Sequence, residues 1–131
     1  MLRYLLGAAI VSAVTLQALP AVASGCGETQ PPSLETNIPT GIRFTNDTHY
    51  TMRIYWADFE GQLREYGLVQ PDETVGFKTY VHHRWYAELY TPIDSACAGP
   101  ISAPDTETCD MRFVFNEDTG EILMDGGYCD Y

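Results

Sequence analysis

The twelve residues TYVHHRWYAELY, 79 to 90, hold a hydroxyl, two imidazoles, an indole and three phenols. In an extended strand successive side chains point to opposite faces. That sets Thr79, Val81, His83, Trp85, Ala87 and Leu89 on one face, and Tyr80, His82, Arg84, Tyr86, Glu88 and Tyr90 on the other. The first face is apolar except for Thr79 and His83. An unpaired buried polar group costs about 1–3 kcal/mol, so these two need partners from the protein or from a ligand. Upstream, Tyr50, Met52, Ile54 and Trp56 form an apolar face that ends in an indole, and Tyr66 follows in QLREYGLV. Trp56, Tyr66 and Trp85 as aromatic walls, with Thr79 and His83 as hydrogen-bonding groups, have the composition of a small recognition pocket.

Catalysis is the competing chemistry. Thr79 and His83 could act as nucleophile and base, but no motif places an acidic residue to orient the imidazole and no oxyanion element is recognisable. The expectation is a binding site without chemistry of its own. A metal site built from His49, His82 and His83 has no spacing to support it. The acidic residues Glu117, Asp118, Glu121 and Asp125 lack the ordered ligands of a dedicated calcium loop. No cofactor is expected.

The elements that must hold this pocket are short. Alternating segments recur as IRFTN, YTMRIYW, LREYGLV, TVGFKTY, RWYAELY, MRFVFN and EILMD, separated by turn signals such as Glu60-Gly61 and Pro71-Asp72. About seven strands at this spacing predict an all-β antiparallel sandwich. The last two predict a hairpin with Met111, Phe113 and Phe115 on one face. Residues 24–40, rich in proline, glycine and hydroxyls, read as an extended lead-in, and residues 41–131 as the sandwich.

The first 23 residues carry Arg3, an apolar run and Ala21-Val22-Ala23, the pattern of a cleaved secretory signal peptide. The expected location is therefore secreted or periplasmic, with no later segment able to span a membrane. The exported part keeps 6 of the 7 basic residues and all 18 acidic ones, a net −12. Such a charge repels phosphate backbones, which excludes nucleic acid as a natural partner. All four cysteines lie in the exported part, and an even count there implies two disulfides. Three pairings are possible. The preferred one clips Cys97 to Cys109 and ties the ends through Cys26 and Cys129, because free termini fray.

Residues 42–87 contain Phe44-x-Asn46, then Trp56-x-x-Phe59-x-Gly61, then Tyr66, then Thr79-Tyr80, then His83-x-Trp85. Without a gap from Phe44 to Trp85, this resembles the β-domain family of the von Hippel-Lindau tumour suppressor. The resemblance implies a sandwich that binds an extended peptide through a hydroxylated proline. It assigns Trp56, Tyr66 and Trp85 to the walls around the pyrrolidine ring, His83 and Thr79 to the added hydroxyl, and Tyr80 to the position of a family tyrosine. Asn46 is read as structural, fixing a turn. Val81 and His82 stand where the family has arginine and glycine. Beyond Ala87 nothing aligns, so recruitment of a ubiquitin ligase is not carried over. The implied partner is an extended proline- or hydroxyproline-containing peptide or protein. The alternative is an envelope interaction protein that keeps the fold without the pocket.

Overall fold

The computed structural model describes residues 25–104 and 108–131, so the signal peptide expected over residues 1–23 lies outside the described residues. The described chain forms eight strands: β1 (Pro39–Asn46), β2 (Met52–Ala57), β3 (Leu63–Val69), β4 (Thr74–Tyr80), β5 (Trp85–Tyr90), β6 (Ser95–Ile101), β7 (Cys109–Asn116) and β8 (Glu121–Gly127). They make two four-stranded sheets, ordered β4-β1-β7-β8 and β3-β2-β5-β6. The architecture is all-β, as expected. No helix among the described residues is long and apolar enough to cross a membrane.

Two details differ from expectation. The unforeseen strand is β6, whose Gly99-Pro100 reads as a breaker; it is tolerated because β6 lies at a sheet edge, beside a register shift in β5 between Trp85 and Ala87. The pairing is also not wholly antiparallel, since β1 runs parallel to β7. The β7–β8 hairpin is present in continuous register from Asp110 to Asn116.

The core lies between the sheets, where Ile42, Phe44, Met52, Ile54, Leu89, Met111 and Phe113 are buried together with Trp85. The alternation read from the sequence selects these faces correctly. The strip from Thr79 to Tyr90, however, is not one strand. Thr79 and Tyr80 end β4 in the first sheet, and Trp85 begins β5 in the second, so the intervening residues carry the chain from sheet to sheet.

The outer face of β2 and β5 is covered as well. Cys26, Tyr55, Ala57 and Tyr86 form a second buried cluster, and Glu88 is buried beside it. Glu88 accepts hydrogen bonds from the Tyr55 hydroxyl at 3.2 Å and the Cys26 amide at 3.3 Å. The cover is the lead-in, which runs as a strap over this sheet before β1. Its path corrects the expected disulfides: the bridges are Cys26–Cys97 and Cys109–Cys129, with Cα separations of 4.9 and 4.8 Å. The reason is topological. Cys97 points away from the core on β6, next to the inward Ala98, and meets the strap. Cys109 points into the core on β7 of the other sheet and meets the end of the chain beyond β8.

Candidate functional site

Both tryptophans occupy inward positions of adjacent strands. Trp56 on β2 and Trp85 on β5 are direct partners in the antiparallel register, which brings their side chains together on one face. Tyr66 arrives by a different device. In β3, Gly67 pairs with Ile54 and Glu65 pairs with Tyr55, so Tyr66 is the extra, unpaired residue of a β-bulge. A bulge re-aims a side chain. The Tyr66 ring lies 5.0 Å from Trp85, 5.7 Å from Phe77 and 6.1 Å from Trp56, near-perpendicular or steeply tilted to each.

His83 is delivered by the turn between the sheets. The turn is closed by the His83 amide donating to the Tyr80 carbonyl at 3.1 Å, with His82 at φ 65°. This is the left-handed conformation that favours glycine, and it falls where the resembled family has one. The strap holds the turn in place. The Leu34 amide donates to the His82 carbonyl at 3.3 Å, the Thr36 hydroxyl to the Val81 carbonyl at 2.6 Å, and the Val81 amide to the Ile38 carbonyl at 3.0 Å.

The strap also grips the loop between β2 and β3. Ser33 Oγ donates to the Ala57 carbonyl at 2.5 Å and accepts from the Arg84 amide at 2.7 Å, stitching this loop to the turn. Gly61, at φ 83°, passes so close to the Gln30 carbonyl that a Cβ there would collide with it. Burial pushes the Asp58 carboxyl up, but the Gln62 and Glu60 amides and the Arg64 guanidinium outweigh it and hold its pKa below the usual range. Those contacts shape the tip that presents Phe59.

The product is a cavity of about 240 Å³ lined by Trp56, Phe59, Tyr66, Lys78, Thr79, Tyr80, His83 and Trp85. All six residues singled out in the sequence line it. Phe59 and Lys78 were not singled out, although the place of Phe59 in Trp56-x-x-Phe59-x-Gly61 was a usable signal. The rim residues Phe59, Tyr66 and Tyr80 are exposed, whereas Thr79, His83 and Trp85 are buried at 4 %, 6 % and 2 % exposure and form the floor. Trp85 thus belongs to the core and to the cavity at once.

Two hydrogen bonds define the floor's chemistry. Trp85 Nε1 donates to Thr79 Oγ1 at 2.9 Å, and Trp56 Nε1 donates to His83 Nδ1 at 3.2 Å. Burial lowers the His83 pKa below its ordinary value, which favours neutral imidazole. With Nδ1 accepting, the single ring proton belongs on Nε2. Nε2 is buried and has no hydrogen-bond partner among the described residues. Thr79 keeps its own O–H and a second lone pair.

Outside the cavity, Asn46 is fully buried. Its amide donates to the Tyr50 and Val69 carbonyls at 2.7 and 2.9 Å and accepts from the Thr48 amide and hydroxyl. It fixes the turn after β1, as read from the sequence. His82 is exposed and lines neither wall nor floor.

Residues 32–95 match the family model of the VHL beta domain. That segment belongs to this family. The match begins inside the strap and ends at the start of β6, so it takes in every element that builds the cavity. Membership makes this VHL beta domain a protein-binding module in general terms. No curated protein matches the chain. Among solved structures, a protein from Eubacterium rectale determined by NMR is 10 % identical, covering 71 % of this chain and 92 % of that one with a TM-score of 0.47. A structure described as a trapped toxin is 12 % identical, covering 68 % and 23 % of the two chains with a TM-score of 0.41. A disulfide-locked mutant of intermedilysin with human CD59 is 11 % identical, covering 69 % and 24 % with a TM-score of 0.41.

Proposed function

We propose that this VHL beta domain is an exported peptide-binding module whose cavity receives the ring of a hydroxyproline, and that it acts by recognition without catalysis. The observation that carries the reading is the unpartnered Nε2 of His83 at the floor of an aromatic cavity. A pyrrolidine ring is apolar and already restrained in extended peptides, so aromatic walls accept it at low entropic cost. A hydroxyl on that ring can accept from His83 Nε2–H and exchange a hydrogen bond with Thr79 Oγ1. Plain proline leaves the histidine donor unpaired, at about 1–3 kcal/mol.

The surroundings favour an extended ligand. Strand β4, which supplies Lys78, Thr79 and Tyr80, is an edge strand paired only with β1 among the described residues, and an edge can take on a further strand. Neither Thr79 nor His83 is hydrogen-bonded to the other, and no described hydrogen bond joins His83 to a carboxylate, which supports binding over nucleophilic chemistry. Two disulfides fit an oxidising compartment, and with the signal-like leader they favour a secreted or periplasmic location.

Isothermal titration with paired peptides, identical except for hydroxyproline or proline, tests the reading. The expected result is binding of the hydroxylated peptide about tenfold or more tighter than its twin. Equal binding points to a generic proline groove. No binding by a folded protein favours the interaction-protein alternative, which the core packing of Trp85 and its bond to Thr79 would also suit.

A further inference from the structure

Beside the aromatic cavity lies a second one of about 540 Å³, lined by Glu35, Thr36 and Asn37 of the strap together with Phe59, Tyr80 and His83. The last three residues line both cavities. The imidazole packs against both rings, 5.4 Å from Phe59 and 5.3 Å from Tyr80 by centroid. Consecutive Cα atoms are about 3.8 Å apart and extended residues advance about 3.3–3.6 Å each. An extended peptide that crosses these shared residues with its ring in the first cavity can therefore place a residue one or two positions away in the second.

The lining of that second cavity has a definite chemistry. Among the described residues that line it, Glu35 is the one acid or strong base, since burial lowers the His83 pKa and favours its neutral form, and Lys78 lines the first cavity alone. Phe59 and Tyr80 add aromatic rings, which attract cations through their faces. Thr36 spends its proton on the Val81 carbonyl and so presents lone pairs rather than a donor. The net charge of −11 on the whole chain adds a field that draws basic ligands.

We infer that the second cavity holds the side chain of a lysine or arginine lying within two residues of the hydroxyproline, paired with Glu35 and set against Phe59 and Tyr80. This rests on the reading of the first cavity given above. It makes the strap part of the binding surface and defines the ligand as a basic hydroxyproline peptide.

The full exported chain with both disulfides intact is titrated with peptides of one backbone. Hydroxyproline is flanked by lysine, alanine or glutamate at the two positions on either side, and a lysine-flanked peptide carries proline instead. The lysine-flanked hydroxyproline peptide is expected to bind about three- to tenfold tighter than the glutamate-flanked one. The preference should shrink at high salt, vanish in Glu35→Gln and reverse in Glu35→Lys. Equal affinity for lysine and glutamate flanks, or a preference that survives Glu35→Gln, overturns the inference while a retained preference for hydroxyproline over proline leaves the first cavity's reading standing. Equal binding of the lysine-flanked proline and hydroxyproline peptides, with the dependence on Glu35 intact, upholds the cationic subsite and sinks the hydroxyproline reading. Absence of binding by every peptide removes both.

Discussion

The indole N–H of Trp56 donates to Nδ1 of His83 across 3.2 Å, with the two rings 5.5 Å apart. One wall of the cavity thereby selects the tautomer of its polar floor. A phenyl ring at position 56 would keep much of the apolar surface but supply no donor, leaving the imidazole free to hold its proton on either nitrogen. Trp56→Phe is expected to narrow the preference for hydroxyproline over proline by about two- to tenfold, the value of one hydrogen bond, with a smaller effect on proline binding itself. Calorimetric titration of the paired peptides measures both. An unchanged preference would mean that Trp56 contributes area alone.

Acid should act through the same histidine. Its folded pKa is depressed by burial, so the folded state binds this proton less readily than the unfolded chain does. The contribution of His83 to stability is complete above the unfolded value near 6.5 and is lost as pH falls from there through the folded value. Protonation also turns Nδ1 into a donor facing the Trp56 N–H. Peptide affinity and stability should therefore hold steady above about pH 6.5 and decline together below it, and His83→Gln should flatten that portion of both curves. Urea denaturation and titration across the pH range provide the check.

Thr79 separates packing from hydrogen bonding. Valine at this position preserves the shape but leaves the buried Trp85 N–H, now 2.9 Å from Thr79 Oγ1, without an acceptor. Thr79→Val should destabilise the protein by about 1–3 kcal/mol in urea unfolding and also weaken hydroxyproline selectivity. Thr79→Ser retains the acceptor and removes a methyl from the floor. It should keep the selectivity, and a serine variant as unselective as the valine one would count against a role for the hydroxyl.

The inward faces of the strands and the set of residues around the cavity were legible because they follow from alternation and from motif spacing. Trp56, Thr79 and Trp85 obey the period of two within their strands, whereas His83 stands in the turn between the two sheets and owes its aim to that turn. Tyr66 does not obey the period of two. Its inward aim depends on a bulge that leaves no local pattern, so it was singled out by its aromatic type and by the family spacing rather than by alternation. The conformation of His82 was marked by the same spacing, as a histidine standing in a glycine's place. Phe59 and the strap were missed for a different reason. Their roles come from contacts across long sequence separations, such as Ser33 with Ala57 and Arg84. The disulfides failed for that reason too, since the strand that turns Cys97 outward was itself unforeseen and nothing local says which segment lies over it.

The strap turns one of those disulfides into a support for the site. Cys26–Cys97 pins its start to β6, and Ser33 and Thr36 then bind the segments that carry Phe59 and His83. Cys109–Cys129 closes a separation of 20 residues at the far end of the first sheet and touches none of these segments. Replacing either pair with alanines should cost about 2–4 kcal/mol of stability through the unfolded chain. Only the Cys26→Ala, Cys97→Ala variant should also lose peptide affinity under conditions where the protein remains folded, because its strap can lift while the sandwich stays closed. Ser33→Ala gives the same prediction without touching a disulfide. It removes the acceptor of the Arg84 amide and the donor to the Ala57 carbonyl together, so the loop and the turn lose their shared anchor. Hydrogen exchange should then rise at residues 58–62 and 81–84 ahead of the core strands, with affinity falling in step. Equal losses of affinity from the two disulfide variants would show that the strap has no special connection to the cavity.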